Sequence, residues 1–208
     1  MPSILDTPFR FNDLSEDQLS RRIETKLQTT QEENQKEMVI PDEYRVVSQS
    51  GKDITIGSNA CTGDRLKHLV IRDCISTRFI FLIPFASVQI SESSDCRLDF
   101  MVVKGPVSVT SCNKLRIFGF CSQLRLTDCL SIVTHIQTAS STALVNCSEV
   151  EICPPPQVES GSSKEACLGQ IGMNREVYLK STKWKSVSDF DSLTGSRGNF
   201  VIHEFTGD

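Results

Sequence analysis

Few side chains in this sequence are spaced to do chemistry, and the one that stands out is an arginine. The stretch SQLRLTDC, residues Ser122 to Cys129, alternates like a half-buried strand. Leu124 and Leu126 fall on one face, Gln123 and Arg125 on the other. A guanidinium on the outer side of an apolar, cysteine-rich strand is either an ordinary solvated charge or a group aimed at a partner, and the strand alone leaves both open. Catalytic sets are not evident elsewhere: no carboxylate pair, nucleophile–base combination or phosphate-cradling glycine loop occurs at a suggestive spacing.

The nine cysteines offer metal or disulfide chemistry in principle. The nearest pairs, Cys147/Cys153, Cys121/Cys129 and Cys112/Cys121, lack the CxxC spacing of zinc sites, and His68, His135 and His203 are isolated from one another. No metal is therefore expected. An odd count, with no export signal visible in MPSILDTPFRFND, argues against a disulfide framework and for buried thiols acting as small hydrophobes.

Bulk properties narrow the partners. The net charge is −4 and the basic residues are scattered, so nucleic acid is not an expected partner. The longest apolar run, Phe79 to Val88, is interrupted by Pro84 and too short to span a bilayer. Pro2 stands where myristoylation needs glycine, so no lipid anchor is expected at this end.

The elements that must position Arg125 repeat. Cys112, Cys129 and Cys147 are 17 and 18 residues apart, Cys74 lies two such steps earlier, and Ser93 supplies the missing small residue. Each marker closes a similar phrase: LVIRDC, VQISES, VSVTSC, LRLTDC and, offset by one, ALVNCS. A second short apolar phrase follows most of them: RFIFLI, RLDFMV, LRIFGF, SIVTHI and VEIC. A unit of about 18 residues cannot bury its own apolar face, but stacked units can. The bends are small and polar rather than glycine-rich hairpin turns. The expected fold is thus an all-β core wound as a β-helix (solenoid) of about 18-residue rungs, with a β-sandwich as the alternative.

The flanks differ in composition. Residues 13–37 read as a helix, with Ser15 and Gln18 as a capping box and Leu19, Ile23 and Leu27 on one face. Residues 1–48 are accordingly assigned to an N-terminal helical extension and residues 49–208 to the solenoid domain. The segment 154–172, with Pro154 to Pro156 and a Ser/Gly tract, reads as a loop. Beyond it Trp184, Val187, Phe190 and Leu193 recur every third residue, as a short amphipathic helix or a chain of anchors, and are expected to hold a tail that caps exposed strand edges.

Aligning the units on their markers places Ser108 and Ala143 beside Arg125, and Pro106 and Ser141 beside Gln123. The arginine therefore has small neighbours and no carboxylate in register, while Arg116 lies on a different side of its unit.

These residues carry a family resemblance. CSQLRLTDCLSIVTHIQTASSTALVNCSEVEICP, residues 121–154, resembles the core of the tubulin-binding cofactor C family, whose pattern is Gln-x-Arg after a cysteine and a later Ser-x-Ala strand closing on Cys-Ser and proline. Cys121, Gln123 and Arg125 match the first part, and Ser141, Ala143, Leu144, Cys147 and Pro154 the second. Trp184, Val187, Asp189, Phe190, Leu193, Asn199 and Phe200 match its closing pattern. The chain departs from the family at Thr127, where many members carry His, and at Thr142, often Arg. The resemblance implies a right-handed β-helix. It also implies a cytoplasmic, cytoskeleton-associated cofactor, monomeric on its own, that acts with cofactors D and E late in α/β-tubulin dimer assembly. Arg125 would be an arginine finger stimulating GTP hydrolysis by β-tubulin, with Gln123 beside it. Such a protein is a GTPase activator rather than an enzyme in the strict sense, and needs no cofactor, because the partner holds the GTP. Two alternatives share the fold: an activator of an Arf-like small GTPase, and a non-catalytic actin-binding module.

Overall fold

The computed structural model describes residues 43–57, 66–159, 162–170, 172, 174–191 and 199–204. They belong to one compact unit, Asp42–Asp208. The helix expected over residues 13–37, and the anchor Leu193, lie outside the described residues.

Alternation of apolar and polar residues every second position makes strands, and here the strands sort into two parallel sheets of seven. The first sheet holds β1 (Glu43–Val47), β3 (His68–Arg72), β5 (Ser87–Ser91), β7 (Pro106–Thr110), β9 (Gln123–Thr127), β11 (Thr142–Val145) and β13 (Val187–Asp189), in that order. The second holds β2 (Asp53–Ile56), β4 (Arg78–Phe81), β6 (Arg97–Phe100), β8 (Arg116–Cys121), β10 (Leu130–Thr138), β12 (Ser148–Ile152) and β14 (Phe200–Ile202). The chain thus alternates between sheets, each strand lying beside the strand two before it. Val70, Gln89, Ser108, Arg125 and Ala143 stand in one row, successive members being 17 to 19 residues apart. β1 already belongs to the first sheet, so that sheet begins ahead of residue 49.

The inner faces carry the core. Leu69, Ile71, Val88, Ile90, Val107, Val109, Leu124, Leu126 and Leu144 from the first sheet are all buried, as are Phe79, Phe81, Leu98, Phe100 and Ile117 from the second. Phe81 stacks on Phe100 with ring centroids 4.9 Å apart and meets Phe85 edge-on at 5.6 Å. Each fully buried side chain of this size contributes about 1.5–3 kcal/mol relative to exposure. This column of inward residues outweighs any single polar contact on the surface.

The corner between the sheets is built on the marker column. Cys74, Ser93, Cys112, Cys129 and Cys147 are all buried. Each donates from its sulfur or hydroxyl to the carbonyl two residues earlier, at 2.9–3.3 Å. Residues flanking the markers adopt left-handed backbone: Asp73, Glu92, Ser111, Asp128 and Asn146 before them, and Ser76, Asp95, Lys114 and Ser131 after them, with φ between 47° and 55°. Asp, Asn and Ser tolerate this region better than most residues. Stacked side chains add support: Ser76 donates to Asp95 at 2.8 Å, and Asn146 to Asp128 at 2.6 Å.

Two departures from the sequence reading concern the tail. Within the segment expected to be a loop, Ser163–Gln170 forms a helix, α1, followed by α2 (Arg175–Lys180), whose first turn is capped by Asn174. Their Cys167, Leu168 and Tyr178 pack with Met101, Val102, Phe120 and Val158 in a second apolar cluster. That cluster offered the helices the burial which the Ser/Gly composition had hidden. Second, the anchors divide. Trp184 is buried and Val187 packs on the core, but Phe190 is 58% exposed. The tail does cover strand edges, since β13 extends one sheet beyond β11 and β14 extends the other beyond β12.

Candidate functional site

β9 is a strand of five residues with both neighbours paired, Leu124 and Leu126 plugged into the core and Gln123 and Arg125 facing out. β7 and β11 flank it, with Arg125 beside Ser108 and Ala143, and Gln123 beside Pro106. The backbone leading into it is pinned by the tail. Tyr178 donates its hydroxyl to the carbonyls of Cys121 and Gln137, the latter at 3.0 Å. Gln137 in turn donates to the carbonyls of Tyr178 and Ser181 at 2.6 and 2.7 Å. A buried amide nitrogen and phenol paired in this way favour one geometry, because moving either leaves a polar group unsatisfied. Gly119, two residues before Cys121, has φ of +140°, and a Cβ there would lie 2.7 Å from the Phe100 carbonyl oxygen. Only glycine fits the close approach of β8 to β6.

Arg125 is exposed, and its Nε donates to Gln123 Oε1 at 2.8 Å. That contact orients the guanidinium from behind. Its two terminal nitrogens meet no carboxylate among the described residues. Gln123 and Arg125 are thus brought together as a pair, the glutamine in a positioning geometry and the arginine with a free planar fork of donors. A fork of this kind suits a phosphate or carboxylate presented by another molecule. Among the described residues, no general base or nucleophile accompanies it.

What surrounds the pair on the outer face is uncharged, and mostly small. Ser87, Gln89, Ser108, Thr110, Thr127 and Ala143 occupy neighbouring outward positions. Val145 is 40% exposed, and Phe190, whose N–H donates to Leu144 O at 3.0 Å, lies beside it. The sequence expectation of Phe190 as an anchor missed this; β13 ends with it on the outer side. Thr142 is buried and donates its N–H to Ser186 O at 2.9 Å, so an arginine in its place would have no room to point inward.

The thiols take no part. All eight described cysteines are free and buried. Burial raises Cys74, Cys96 and Cys112 above the ordinary thiol value and pushes Cys121 up to about 12, so each is held protonated and unreactive. Among the described residues, no helix is long and apolar enough to cross a membrane. The spacing of the histidines hid one meeting: Glu151, Cys153 and His203 converge where β12 and β14 end, with His203 Nε2 3.2 Å from Glu151 Oε2.

Comparison with known proteins agrees with this architecture. A search of curated proteins finds no match. Among solved structures, tubulin binding cofactor C from Leishmania major is similar, with a TM-score of 0.51 at 14% identity, covering 79% of this chain and 89% of that one. At that identity the likeness speaks for the fold. The family described as tubulin binding cofactor C matches residues 66–190, more than half of the 208. That span takes in the strand bearing Gln123 and Arg125, its two neighbours and the tail that pins it, and on this match the chain belongs to the tubulin binding cofactor C family.

Proposed function

We propose that this protein is a tubulin-folding cofactor that stimulates GTP hydrolysis by β-tubulin, with Arg125 as the arginine supplied in trans. It would act with cofactors D and E in the late step of α/β-tubulin dimer assembly. The observation that carries the proposal is an exposed guanidinium held by Gln123 and engaged by no acid among the described residues, on a strand locked into a packed scaffold. The coil is read as right-handed with rungs of about 18 residues, the hand that parallel crossovers overwhelmingly take.

The mechanism is electrostatic. As the bond to the γ-phosphoryl group breaks, negative charge spreads over its oxygens and the leaving oxygen. A guanidinium fork placed there stabilises the transition state more than the ground state. A finger of this type is worth about 10³–10⁵ in rate, or roughly 4–7 kcal/mol. Lysine could not supply the two parallel donors. Rigidity of the mount matters, because the donors must be held to within about half an ångström. Gln123 contributes by removing rotamers of Arg125. Exposed Val145 and Phe190 would supply apolar contact to the partner at the rim of the same face. The nucleotide belongs to the partner, so the hydrolysis step needs no cofactor of this chain's own, and the protein would work as a cytoplasmic monomer.

The test is a GTPase assay with purified tubulin and cofactors D and E. The parent protein should accelerate phosphate release, and Arg125→Ala should abolish that acceleration while its circular dichroism is unchanged. An alanine variant that stimulates like the parent removes the finger. A parent that stimulates an Arf-like GTPase but not tubulin replaces the partner and keeps the chemistry.

A further inference from the structure

The outer face of the second sheet ends in a carboxylate, a thiol and an imidazole. Glu151 is exposed on the outer side of β12, and Cys153, the residue directly after the strand, is buried beside it across inward-facing Ile152. β14 runs parallel to β12 with Glu151 opposite Val201 and Ile152 opposite Ile202. The His203 N–H then donates to Ile152 O at 2.8 Å, which brings the histidine alongside Cys153. Sγ of Cys153, a carboxylate oxygen of Glu151 and a ring nitrogen of His203 all lie within 4.8 Å of one another. We propose that these three residues form a zinc site that ties the last strand to its sheet.

The donor set selects the ion. Sulfur, imidazole nitrogen and carboxylate oxygen together suit Zn²⁺, whereas Ca²⁺ and Mg²⁺ require oxygen shells. A thiolate and a carboxylate neutralise a dication, with neutral imidazole as the third ligand and water in the fourth position. Tetrahedral bonds of about 2.0–2.3 Å put ligand atoms roughly 3.3–3.8 Å apart, which small rotations of Glu151 and His203 achieve. Both side chains are about half exposed, at 52% and 49%, and touch each other at 3.2 Å, so an ion would replace that one contact. The thiol differs from those of the marker column. Cys74, Cys112, Cys129 and Cys147 donate to carbonyls two residues back, but no hydrogen bond engages the Cys153 sulfur among the described residues. The ligands come from two strands, one of them the three-residue β14. An ion binding only the folded arrangement would stabilise that closure by mass action.

Cobalt substitution tests this. Reduced, chelator-treated full-length protein is titrated with Co²⁺, then with Zn²⁺. The site requires one equivalent of Co²⁺, a near-ultraviolet sulfur-to-cobalt charge-transfer band, and its displacement by Zn²⁺. Cys153→Ser should remove the band, and His203→Gln should weaken binding tenfold or more. In both variants the rise in Tm that Zn²⁺ gives the parent should vanish. Because a variant can misfold, the parent is also alkylated with iodoacetamide and mapped by mass spectrometry, where Zn²⁺ should slow modification of Cys153 and of no other cysteine. The proposal is overturned if the parent gives no stoichiometric band, if the band survives Cys153→Ser, or if Zn²⁺ leaves the Cys153 alkylation rate unchanged. In any of those cases Glu151 and His203 are a surface ion pair and nothing more.

Discussion

The solenoid treats its outward arginines in opposite ways. On the second sheet Arg78, Arg97 and Arg116 stand in one row, three deep. Asp99 reaches two of them, at 3.0 Å from Arg97 and 4.0 Å from Arg78, and Arg97 lies 4.4 Å above the Phe118 ring. Phe118 stacks on His135 at 4.6 Å, and His135 is tied to Pro154 O at 3.0 Å. Arg78 and Arg97 are absorbed by their own sheet, as Arg72 on the first sheet is by Glu92 at 3.0 Å. On the first sheet Arg125 has a serine and an alanine beside it and a single glutamine contact. A residue type therefore says little by itself. The neighbouring rungs decide whether a cation is spent on local structure or left available to another molecule.

The largest effect should come from the available one. Arg125→Ala is expected to lower stimulated GTP hydrolysis by about 10³-fold or more, while Arg116→Ala leaves the rate within about twofold. Single-turnover phosphate release measures both, and equal losses would erase the distinction between the two arginines. Next is the packing beneath. Leu126→Ala should cost about 2–5 kcal/mol in urea unfolding, because a fully buried leucine cannot be replaced by collapse of strands paired on both sides. A cost under about 1 kcal/mol would mean that the mount is soft. Tyr178 gives a smaller, pH-dependent signature. Burial raises its phenol above the ordinary value, so the native state keeps a proton that the unfolded chain loses near pH 10. Its contribution is complete below that pH and declines as pH rises through it toward the native value. Tyr178→Phe should be less stable than the parent at pH 8, by about 1 kcal/mol per lost hydrogen bond, and that gap should narrow by pH 11. Urea midpoints at the two pH values read it, and a constant gap would show that the phenol ionises alike in both states. Gln123→Ala should slow stimulated hydrolysis several-fold, about 1 kcal/mol, by loosening Arg125; an unchanged rate removes it from the site. Arg97→Ala is the smallest, at about 0.5–1 kcal/mol of stability and no change in hydrolysis, because its pair and ring contact are partly solvated.

Much of this was written where chemistry forces a small residue. The interior of each bend admits only a compact side chain, so Cys74, Ser93, Cys112, Cys129 and Cys147 fall in phase and reveal both the repeat and the neighbours of Arg125. The rest lacks such a marker. Gln49 stands where the first rung would show one, and β1 was not separated from the N-terminal extension. Glu92, Lys114 and Glu149 hold left-handed backbone without the composition that would announce it. Helix α1 depends on a cluster assembled from Met101, Val102 and Phe120, far off in the chain. Glu151 and Cys153 meet His203 only because β14 pairs with β12, a long-range closure invisible to local spacing. The candidate site was legible as a pair of outward residues on one strand with no carboxylate in register; the contact from Gln123 Oε1 to the Arg125 Nε became evident only in three dimensions.

The concealed sulfhydryls turn the coil into a recorder of its own breathing. A reagent that alkylates thiols must wait for a bend to open, so the order in which Cys74 through Cys147 acquire label would reveal whether the coil frays from one end or melts everywhere at once. These thiols lie on successive stretches of the coil, so they serve as native reporters that require no added probe.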